Sequence, residues 1–263
     1  MGRGEQVTVE RRVVVTGASS GIGTAFALHH ARPGVSLVLV GRDTAALQSV
    51  VRQVRSLGAT AEPVVADLSI PQGVDDACAA AGVVDVLVLN AGITMAGAVG
   101  THDPDELDRM AYLMSAGVTR MCERLVPGML ERGNGNIVIV SSIAAFTPMK
   151  KSAPYAAAKS HATAYARSLA LETTARGIRV VAVCPGYVRT DLHRRAGLQH
   201  LEKRVPGWMW LPPERVVEET ERALHRGKTV VVPGRVYRAV LPFLSSAPAQ
   251  RAWGALTRRN RRG

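Results

Sequence analysis

The stretch Val13-Val-Val-Thr-Gly17-Ala-Ser-Ser-Gly21-Ile-Gly23 decides the predicted fold, because it joins a valine-rich strand to a glycine-rich turn. The residues after it, Thr24-Ala-Phe-Ala-Leu-His-His-Ala31, are typical of a helix. Glycines let such a turn bend tightly and let a pyrophosphate approach, while the helix N-terminus supplies oriented N–H groups. The strand–turn–helix context therefore indicates a phosphate-binding loop. The residues predicted to bind there are Gly17, Ser19, Ser20, Gly21, Ile22 and Gly23.

Short apolar runs alternate with helix-like stretches along the rest of the chain. The predicted strands are Val13–Val15, Leu37–Val40, Val64–Ala66, Val86–Leu89, Ile137–Val140, Ile178–Val183 and Thr229–Val232. The clearest predicted helices cover about 44–56, 104–133, 155–174 and 213–226. Unbroken apolar strands separated by helices are typical of a parallel sheet covered on both faces. We therefore expect an α/β fold, a single doubly wound, Rossmann-type domain over residues 1–263.

The composition is that of a globular protein, with 47% hydrophobic and 21% charged residues among 263, which excludes disordered and collagen-like chains. No long apolar stretch lacks charged or strongly polar groups, and the first residues lack the apolar region of a secretory signal, so neither a membrane span nor secretion is expected. Cys78, Cys122 and Cys184 lie far apart without metal-ligand spacing. They are predicted to be reduced core residues of a cytoplasmic protein, with no metal site.

The excess positive charge lies near the end of the sequence. Residues 1–190 carry a net charge of +3 and residues 191–263 a net charge of +9, out of +12 in total. From Gly234 onward there are seven arginines and no acidic residue. Such a tail could contact anionic lipid, which would place the protein peripherally at a membrane, or it could simply be solvated. With three phenylalanines and no known nucleic-acid module, specific nucleic-acid binding is not expected.

Arg42 bears on which dinucleotide would bind. It follows the second predicted strand at the position that faces the adenosine ribose in dinucleotide folds, and the acid Asp43 comes only after it. An arginine there suits the 2′-phosphate of NADP, whereas an acid would accept from the 2′-OH of NAD. The sequence therefore favours NADP(H). The alternative is an ordinary surface arginine in a chain with 28 Arg and 5 Lys.

Tyr155 and Lys159 form a pair at i and i+4, so both side chains project from one face of a predicted helix. A lysine ammonium near a phenol favours the phenolate and lowers its pKa, which would make the tyrosine a usable general acid/base. Ser142 stands thirteen residues upstream, at the end of the Ile137–Val140 strand.

Together these motifs resemble the classical short-chain dehydrogenase/reductase family over about residues 10–190. The motifs that carry the resemblance are Thr16–Gly23, Asp67-Leu68, Asn90-Ala91-Gly92, Ser142, Tyr155…Lys159 and Pro185-Gly-Tyr-Val-Arg-Thr190. The resemblance implies that Tyr155 exchanges a proton with the substrate oxygen and that Ser142 stabilises that oxygen. It also implies that Lys159 holds the nicotinamide ribose and depresses the pKa of Tyr155.

The same resemblance assigns further cofactor-binding residues. Asp67 and Leu68 would meet the adenine end, and Asn90, Ala91 and Gly92 would lie along the adenosine side and support the sheet. The residues implied at the nicotinamide end are Pro185, Gly186, Val188 and Thr190. The chain then divides into a cofactor-binding and catalytic core (10–190), a substrate lid with the last helix and strand (191–233), and a basic C-terminal extension (234–263).

One position departs from the family pattern. Three residues before Gly117, where an asparagine usually helps to hold a water of the proton relay, this chain has Met114. Ser115 or the backbone could hold that water instead; otherwise the relay is impaired.

The sequence thus predicts an NADP(H)-dependent oxidoreductase that interconverts a carbonyl and a secondary alcohol. Trp208, Met209 and Trp210 could line a pocket for an apolar substrate (lipid-like, acyl or polycyclic) or simply pack the lid. The apolar stripe in 236–256 could lie on a membrane, cover another subunit or close the pocket. The alternative function is a non-catalytic NADP(H)-binding sensor or partner-binding protein. The resemblance suggests a homodimer or homotetramer.

Overall fold

The computed structural model describes residues 11–192, 205–244 and 246. In these ranges, seven parallel strands form one sheet in the order β3-β2-β1-β4-β5-β6-β7. The strands are β1 (Arg11–Thr16), β2 (Val35–Gly41), β3 (Thr60–Val65), β4 (Val86–Leu89), β5 (Gly135–Val140), β6 (Ile178–Val183) and β7 (Val230–Val231). The predicted α/β, doubly wound parallel sheet is therefore confirmed.

The helices cover both faces of the sheet, as the unbroken apolar strands predict. They are α1 (Gly21–His30), α2 (Thr44–Ser56), α3 (Pro71–Ala81), α4 (Pro104–Ala111), α5 (Gly117–Arg132), α6 (Ala153–Thr173), α7 (Pro213–His225) and α8 (Arg235–Leu244). The helix predicted over 104–133 begins and ends where expected, and Gly133 ends it in the left-handed region at φ 64°. It is not continuous, however, because a π-helical turn, Tyr112–Ala116, separates α4 from α5.

The sheet topology creates a crevice at one edge. Val13 of β1 pairs with Leu37 of β2 on one side and with Val86 of β4 on the other, so the strand order reverses at β1. Since all strands are parallel, their carboxyl ends meet at the same edge. The crevice outside such a reversal is where open α/β sheets bind ligands.

The core lies between the central strands and their covering helices. Val13, Val14, Leu37, Leu87 and Ile137 are completely buried. Cys78, Cys122 and Cys184 are buried and free of disulfides, as predicted for reduced core residues.

The C-terminal part differs from the prediction. The strand predicted over 229–232 is two residues long, and α8 was not predicted as an element, although its residues lie mostly in the apolar stripe noted over 236–256. Within the described part of the chain, no helix is long and apolar enough to cross a membrane. No group of three or more metal-ligating side chains was found there either. Most of the predicted lid (193–204), residues 1–10 and the arginine-rich end (247–263) lie outside the described residues.

Leu87→Ala tests the core. Leu87 is completely buried in β4, whereas Leu171 on α6 is 87% exposed. Removing the buried side chain leaves a cavity, so we expect the free energy of unfolding to fall by roughly 2–5 kcal/mol, against less than about 0.5 kcal/mol for Leu171→Ala. Urea denaturation measures both, and equal losses would contradict the burial described for β4.

Candidate active site

The glycine-rich turn after β1 is held in a conformation that favours glycine. Gly17 and Gly21 have φ values of 63° and 57°, in the left-handed region. A Cβ on Gly17 would lie 2.8 Å from the amide nitrogen of Asn90, and one on Gly23 would lie 2.1 Å from the carbonyl oxygen of Gly17. Asn90 donates from that amide to the carbonyl oxygens of Thr16 and Gly17, at 3.0 and 3.1 Å. The predicted loop residues and Asn90 are therefore one packed unit.

Thr16 ties this turn to the end of β4, a role that the sequence analysis missed. Its hydroxyl oxygen accepts from the backbone N–H groups of Asn90 and Ala91, at 2.9 and 3.0 Å, and is almost completely buried. It also donates to the carbonyl oxygen of Val88 at 3.3 Å. The sequence feature that could have pointed to this role is the hydroxyl residue at the end of the valine run of β1.

The N-terminus of α1 directly follows this turn. Ser20 precedes the helix with extended backbone angles, but its side chain makes no capping hydrogen bond, and the first turn of the helix contains no acidic residue. Uncapped N–H groups and the helix dipole together favour an anion. The structure therefore fits a phosphate group at this position.

Ser19, Arg42 and Asp67 lie at the adenosine end predicted from the sequence. A Cβ on Gly41 would be 3.4 Å from the Ser19 hydroxyl, which places Ser19 beside the end of β2. Arg42 is 63% exposed, and its guanidinium lies 4.0 Å from an Asp67 carboxylate oxygen. Burial opposes ionisation of Asp67, but hydrogen bonds from Ser69 and the charge of Arg42 outweigh it and lower the pKa of Asp67.

The segment after β6 closes the opposite end of the crevice. A Cβ on Gly21 would lie 2.7 Å from the Thr190 methyl group, so this segment packs on the glycine-rich turn. The Pro185 carbonyl oxygen accepts from the Ile143 N–H at 3.0 Å and from the Ser142 hydroxyl at 3.5 Å. Leu68 and Val188 are buried in the core, whereas Ile22 is partly buried and packs against it.

Ser142 and Tyr155 form the central hydroxyl pair. Ser142 follows β5 and accepts from the Ala144 N–H at 3.1 Å, which fixes its side chain at the start of the short 3-10 turn Ile143–Phe146. Burial raises the pKa of the Tyr155 phenol, whereas a hydrogen bond with Ser142 lowers it. Because burial is the larger effect, the phenol is held in its neutral form.

Lys159 lies one helical turn after Tyr155 on α6. Its ammonium is buried, donates to the Val140 carbonyl oxygen at 2.9 Å, and lies 5.7 Å from the centre of the Tyr155 ring. Burial lowers the pKa of Lys159 to about 8. Burial and Ser142 are the effects that shift the pKa of Tyr155 here, so the proposed depression of that pKa by Lys159 stays a prediction.

Met114 occupies the position where the family pattern has asparagine. It is buried within the π-helical turn, and the atoms closest to an added Cβ on Gly92 are the Met114 sulfur, at 3.3 Å, and the Lys159 nitrogen, at 3.5 Å. A thioether is a weak acceptor and has no donor. Met114 therefore cannot replace the hydrogen bonds of an asparagine amide.

These contacts bring the predicted residues together along the carboxyl edge of the sheet, from Arg42 after β2 to Thr190 after β6. A second residue that the sequence analysis did not assign to the site is Tyr237 of α8, whose hydroxyl accepts from the Tyr187 N–H at 3.0 Å. The sequence showed Tyr237 only as part of a C-terminal apolar stripe.

Comparison with known proteins gives a consistent result. A family model described as short chain dehydrogenase matches residues 11–200. An uncharacterized oxidoreductase from Staphylococcus epidermidis is 32% identical over 187 residues, covering 70% of this chain and 80% of that protein. Among solved structures, a short-chain dehydrogenase from Sphingobium yanoikuyae in complex with NADPH is 27% identical, with a TM-score of 0.79 over 94% of this chain and 95% of that one.

A further structure shares the fold. It is a short chain dehydrogenase/reductase from Burkholderia phymatum in complex with NAD, 23% identical, with a TM-score of 0.80 over 89% of this chain and 92% of that one. The alternative of a non-catalytic binding protein finds no support in these comparisons. The chain belongs to the short-chain dehydrogenase/reductase family and is an NAD(P)-dependent oxidoreductase acting on CH–OH groups.

Proposed function

We propose that this protein is an NADP(H)-dependent oxidoreductase that interconverts a carbonyl and a secondary alcohol on an apolar substrate. The observation that carries the proposal is the Ser142–Tyr155 hydroxyl pair at the same sheet edge as the N-terminus of α1, which has no side-chain cap. The hydroxyl pair would supply hydrogen-bonding groups for a substrate oxygen. The N-terminus of α1 would supply a binding position for the phosphates of a dinucleotide.

The site residues divide into those that hold the cofactor and those that handle the proton. The glycine-rich turn with Ser19 and Ser20 would hold the phosphates, Asp67 the adenine, Lys159 the nicotinamide ribose, and the segment 185–190 the nicotinamide end. The cofactor, when bound, supplies or accepts the hydride. The residues of the chain would bind and orient the cofactor and the substrate.

Proton transfer falls to Tyr155. Burial raises the pKa of its phenol, so the group is protonated at neutral pH and ready to donate to a carbonyl oxygen. The Ser142 hydroxyl would donate a second hydrogen bond to the same oxygen and stabilise the negative charge that develops there. This protonation state suits reduction of the carbonyl.

Tyr155→Phe tests the catalytic assignment. The ring remains and the proton donor is lost, so we expect turnover of a ketone to fall by about 10²–10⁴-fold while NADPH affinity is retained. Stopped-flow or steady-state NADPH oxidation measures turnover, and fluorescence titration measures affinity. Tyr165→Phe, which removes another buried phenol from α6, serves as the matched control. Turnover that survives in Tyr155→Phe would remove this residue from the mechanism.

Arg42 supports the preference for NADP(H). Its guanidinium is exposed at the carboxyl end of β2, next to Ser19 and Asp67, and it is free to approach a ribose 2′-phosphate. Asp43 is engaged elsewhere, because its carboxylate accepts from the Ala46 N–H at 3.0 Å and caps α2. The acid next to Arg42 thus caps α2, which supports Arg42 as the group that would distinguish the two cofactors.

Arg42→Ala should separate the two nucleotides. A charge-assisted hydrogen bond contributes about 1.5–3 kcal/mol, so we expect NADPH affinity to fall by roughly tenfold or more and NADH affinity to stay unchanged. Arg52→Ala, an exposed arginine on α2, is the control for a general loss of positive charge. Equal effects on NADPH and NADH, or none, would contradict the assignment.

An apolar substrate is supported by the side chains on the segments beside the hydroxyl pair. Partly buried apolar residues occur on the loop after β4, on the turn after Ser142 and on the segments near α8, and they are Ile93, Met95, Phe146, Tyr187 and Met209. Binding sites of this composition favour apolar ligands with a few fixed polar groups. Assembly as a homodimer or homotetramer and a cytoplasmic location stay predictions.

The outer face of α8 supports a peripheral membrane contact. Val236, Ala239, Val240 and Phe243 recur at helical spacing and are exposed, Phe243 by 69%, whereas Tyr237 on the opposite face is buried. The sequence from Gly234 onward adds seven arginines and no acid. An exposed apolar stripe beside positive charge fits the surface of an anionic membrane.

Val240→Glu tests this contact by flotation with phosphatidylglycerol-containing vesicles at low salt. We expect the wild type to bind and the variant to lose about tenfold in binding, because an acid repels the anionic surface and removes an apolar contact. Val83→Glu, at an exposed valine between α3 and β4, is the matched control. Wild-type binding only to neutral vesicles, or unchanged binding of Val240→Glu, would refute the contact.

A further inference from the structure

Tyr237 connects the C-terminal helix to two segments of the site. The residue is buried on α8, and its hydroxyl donates to the Met209 carbonyl oxygen at 2.7 Å while accepting from the Tyr187 N–H at 3.0 Å. Tyr187 directly follows Pro185-Gly186 at the end of β6, and Met209 ends the short turn Gly207–Met209 before α7. One phenol thus bridges segments that are more than twenty residues apart in sequence.

The Tyr237 ring also rests directly on Gly186. A Cβ on Gly186 would lie 2.1 to 2.5 Å from the three outer ring carbons, closer than any real contact. Glycine is required at this position because the ring occupies the space of a side chain. Ring and hydroxyl therefore hold adjacent residues of the same loop.

The two bridged segments pair with each other as well. The Leu211 N–H donates to the Tyr187 carbonyl oxygen and the Arg189 N–H donates to the Leu211 carbonyl oxygen, both at 2.9 Å. The rings of Tyr187 and Trp210 lie 5.3 Å apart. The loop 185–190 is therefore enclosed between the segment 209–211 and α8.

Glu219 of α7 binds residues at the start of α8 and so fixes the helix that carries Tyr237. The buried carboxylate accepts from the Gly234 N–H at 3.2 and 3.3 Å and from the guanidinium groups of Arg215 and Arg238. Burial opposes ionisation of this group, but these hydrogen bonds outweigh it and lower the pKa of Glu219. The charged acceptor therefore persists at neutral pH.

We propose that Tyr237 is a positioning residue that holds the loop 185–190 in place for the nicotinamide half of the dinucleotide. The inference rests on the proposed function, in which this loop meets the nicotinamide end. The hydrogen bonds of the Tyr237 hydroxyl go to Tyr187 and Met209 and not to the glycine-rich turn, Arg42 or Asp67, so its main effect is expected at the nicotinamide half of the cofactor. It acts through Gly186 and Tyr187 and not by touching reacting atoms.

The experiment compares whole and half cofactor on Tyr237→Phe, which keeps the ring on Gly186 and removes only the bridging hydroxyl. We expect NADPH to bind about tenfold more weakly, because the hydrogen bonds from the Tyr187 N–H and to the Met209 carbonyl oxygen are lost and the loop is less well held. Adenosine 2′,5′-bisphosphate, which carries only the adenosine half, should bind as tightly as it does to the wild type. Fluorescence titration and calorimetry measure the two affinities.

Tyr165→Phe, on α6, is the matched control and should change neither affinity. An equal loss for both ligands in Tyr237→Phe would mean general destabilisation and would overturn the proposal, as would an unchanged NADPH affinity. If the wild type bound the half cofactor but not NADPH, the positioning role would be wrong while the phosphate site stood. If the wild type bound neither, the proposed function itself would fall, and this inference with it.

A double-mutant cycle tests the ring contact without any ligand. Gly186→Ala should lower the thermal unfolding midpoint in the wild type, because the added methyl collides with the Tyr237 ring. The same substitution in a Tyr237→Ala background should cost clearly less, since the space is then free. Strictly additive losses would show that the two residues are not in contact and would overturn the arrangement.

Discussion

The hydroxyl of Thr16 fixes the geometry on which the rest of the site depends. β1 and β4 are neighbours in the sheet but distant in sequence, and the loops that follow them diverge around the crevice. By accepting two N–H groups from the start of the loop after β4, Thr16 holds that loop against the glycine-rich turn. Asn90 returns two hydrogen bonds to the same turn. A buried hydroxyl left without these partners would cost about 1–3 kcal/mol, so the arrangement is strongly favoured over looser ones.

The electrostatics of the site follow from desolvation more than from charge pairing. Burial raises the pKa of Tyr155 and lowers the pKa of Lys159, so it favours the protonated phenol and the deprotonated amine, which are the neutral forms. The main counteracting contact at the phenol comes from Ser142, a neutral hydroxyl. A negative oxygen that forms beside this pair could accept from both hydroxyls, and hydrogen bonds to a charged oxygen are stronger than those to a neutral one.

The features of the fold and site that depend on neighbouring residues in the chain could be predicted from the sequence. Glycines between a strand and a helix, and a Tyr–Lys pair at i and i+4, are visible without any tertiary contact, and parallel strands bring their carboxyl ends to one edge. The pKa of Tyr155 could not be predicted in this way, because it depends on how deeply neighbouring segments bury the phenol. The role of Tyr237 could not be predicted from the sequence either. Its role comes from a contact with Gly186, fifty-one residues earlier in the chain, and no spacing rule predicts which face of an apolar helix turns inward.

The π-helical turn between α4 and α5 has a consequence for the chain's tolerance of length changes. A π-turn contains one residue more than the α-helical turn it replaces. Deleting a single residue from Tyr112–Ala116 would therefore restore regular α-helical winding and leave α4 in nearly the same orientation relative to α5. The completely buried Met110 would stay in the core. The same deletion from the regular part of α5 would instead rotate the preceding turns by roughly 100° about the helix axis and turn Met110 toward solvent. The effect of a one-residue deletion thus depends on where in these two helices it falls.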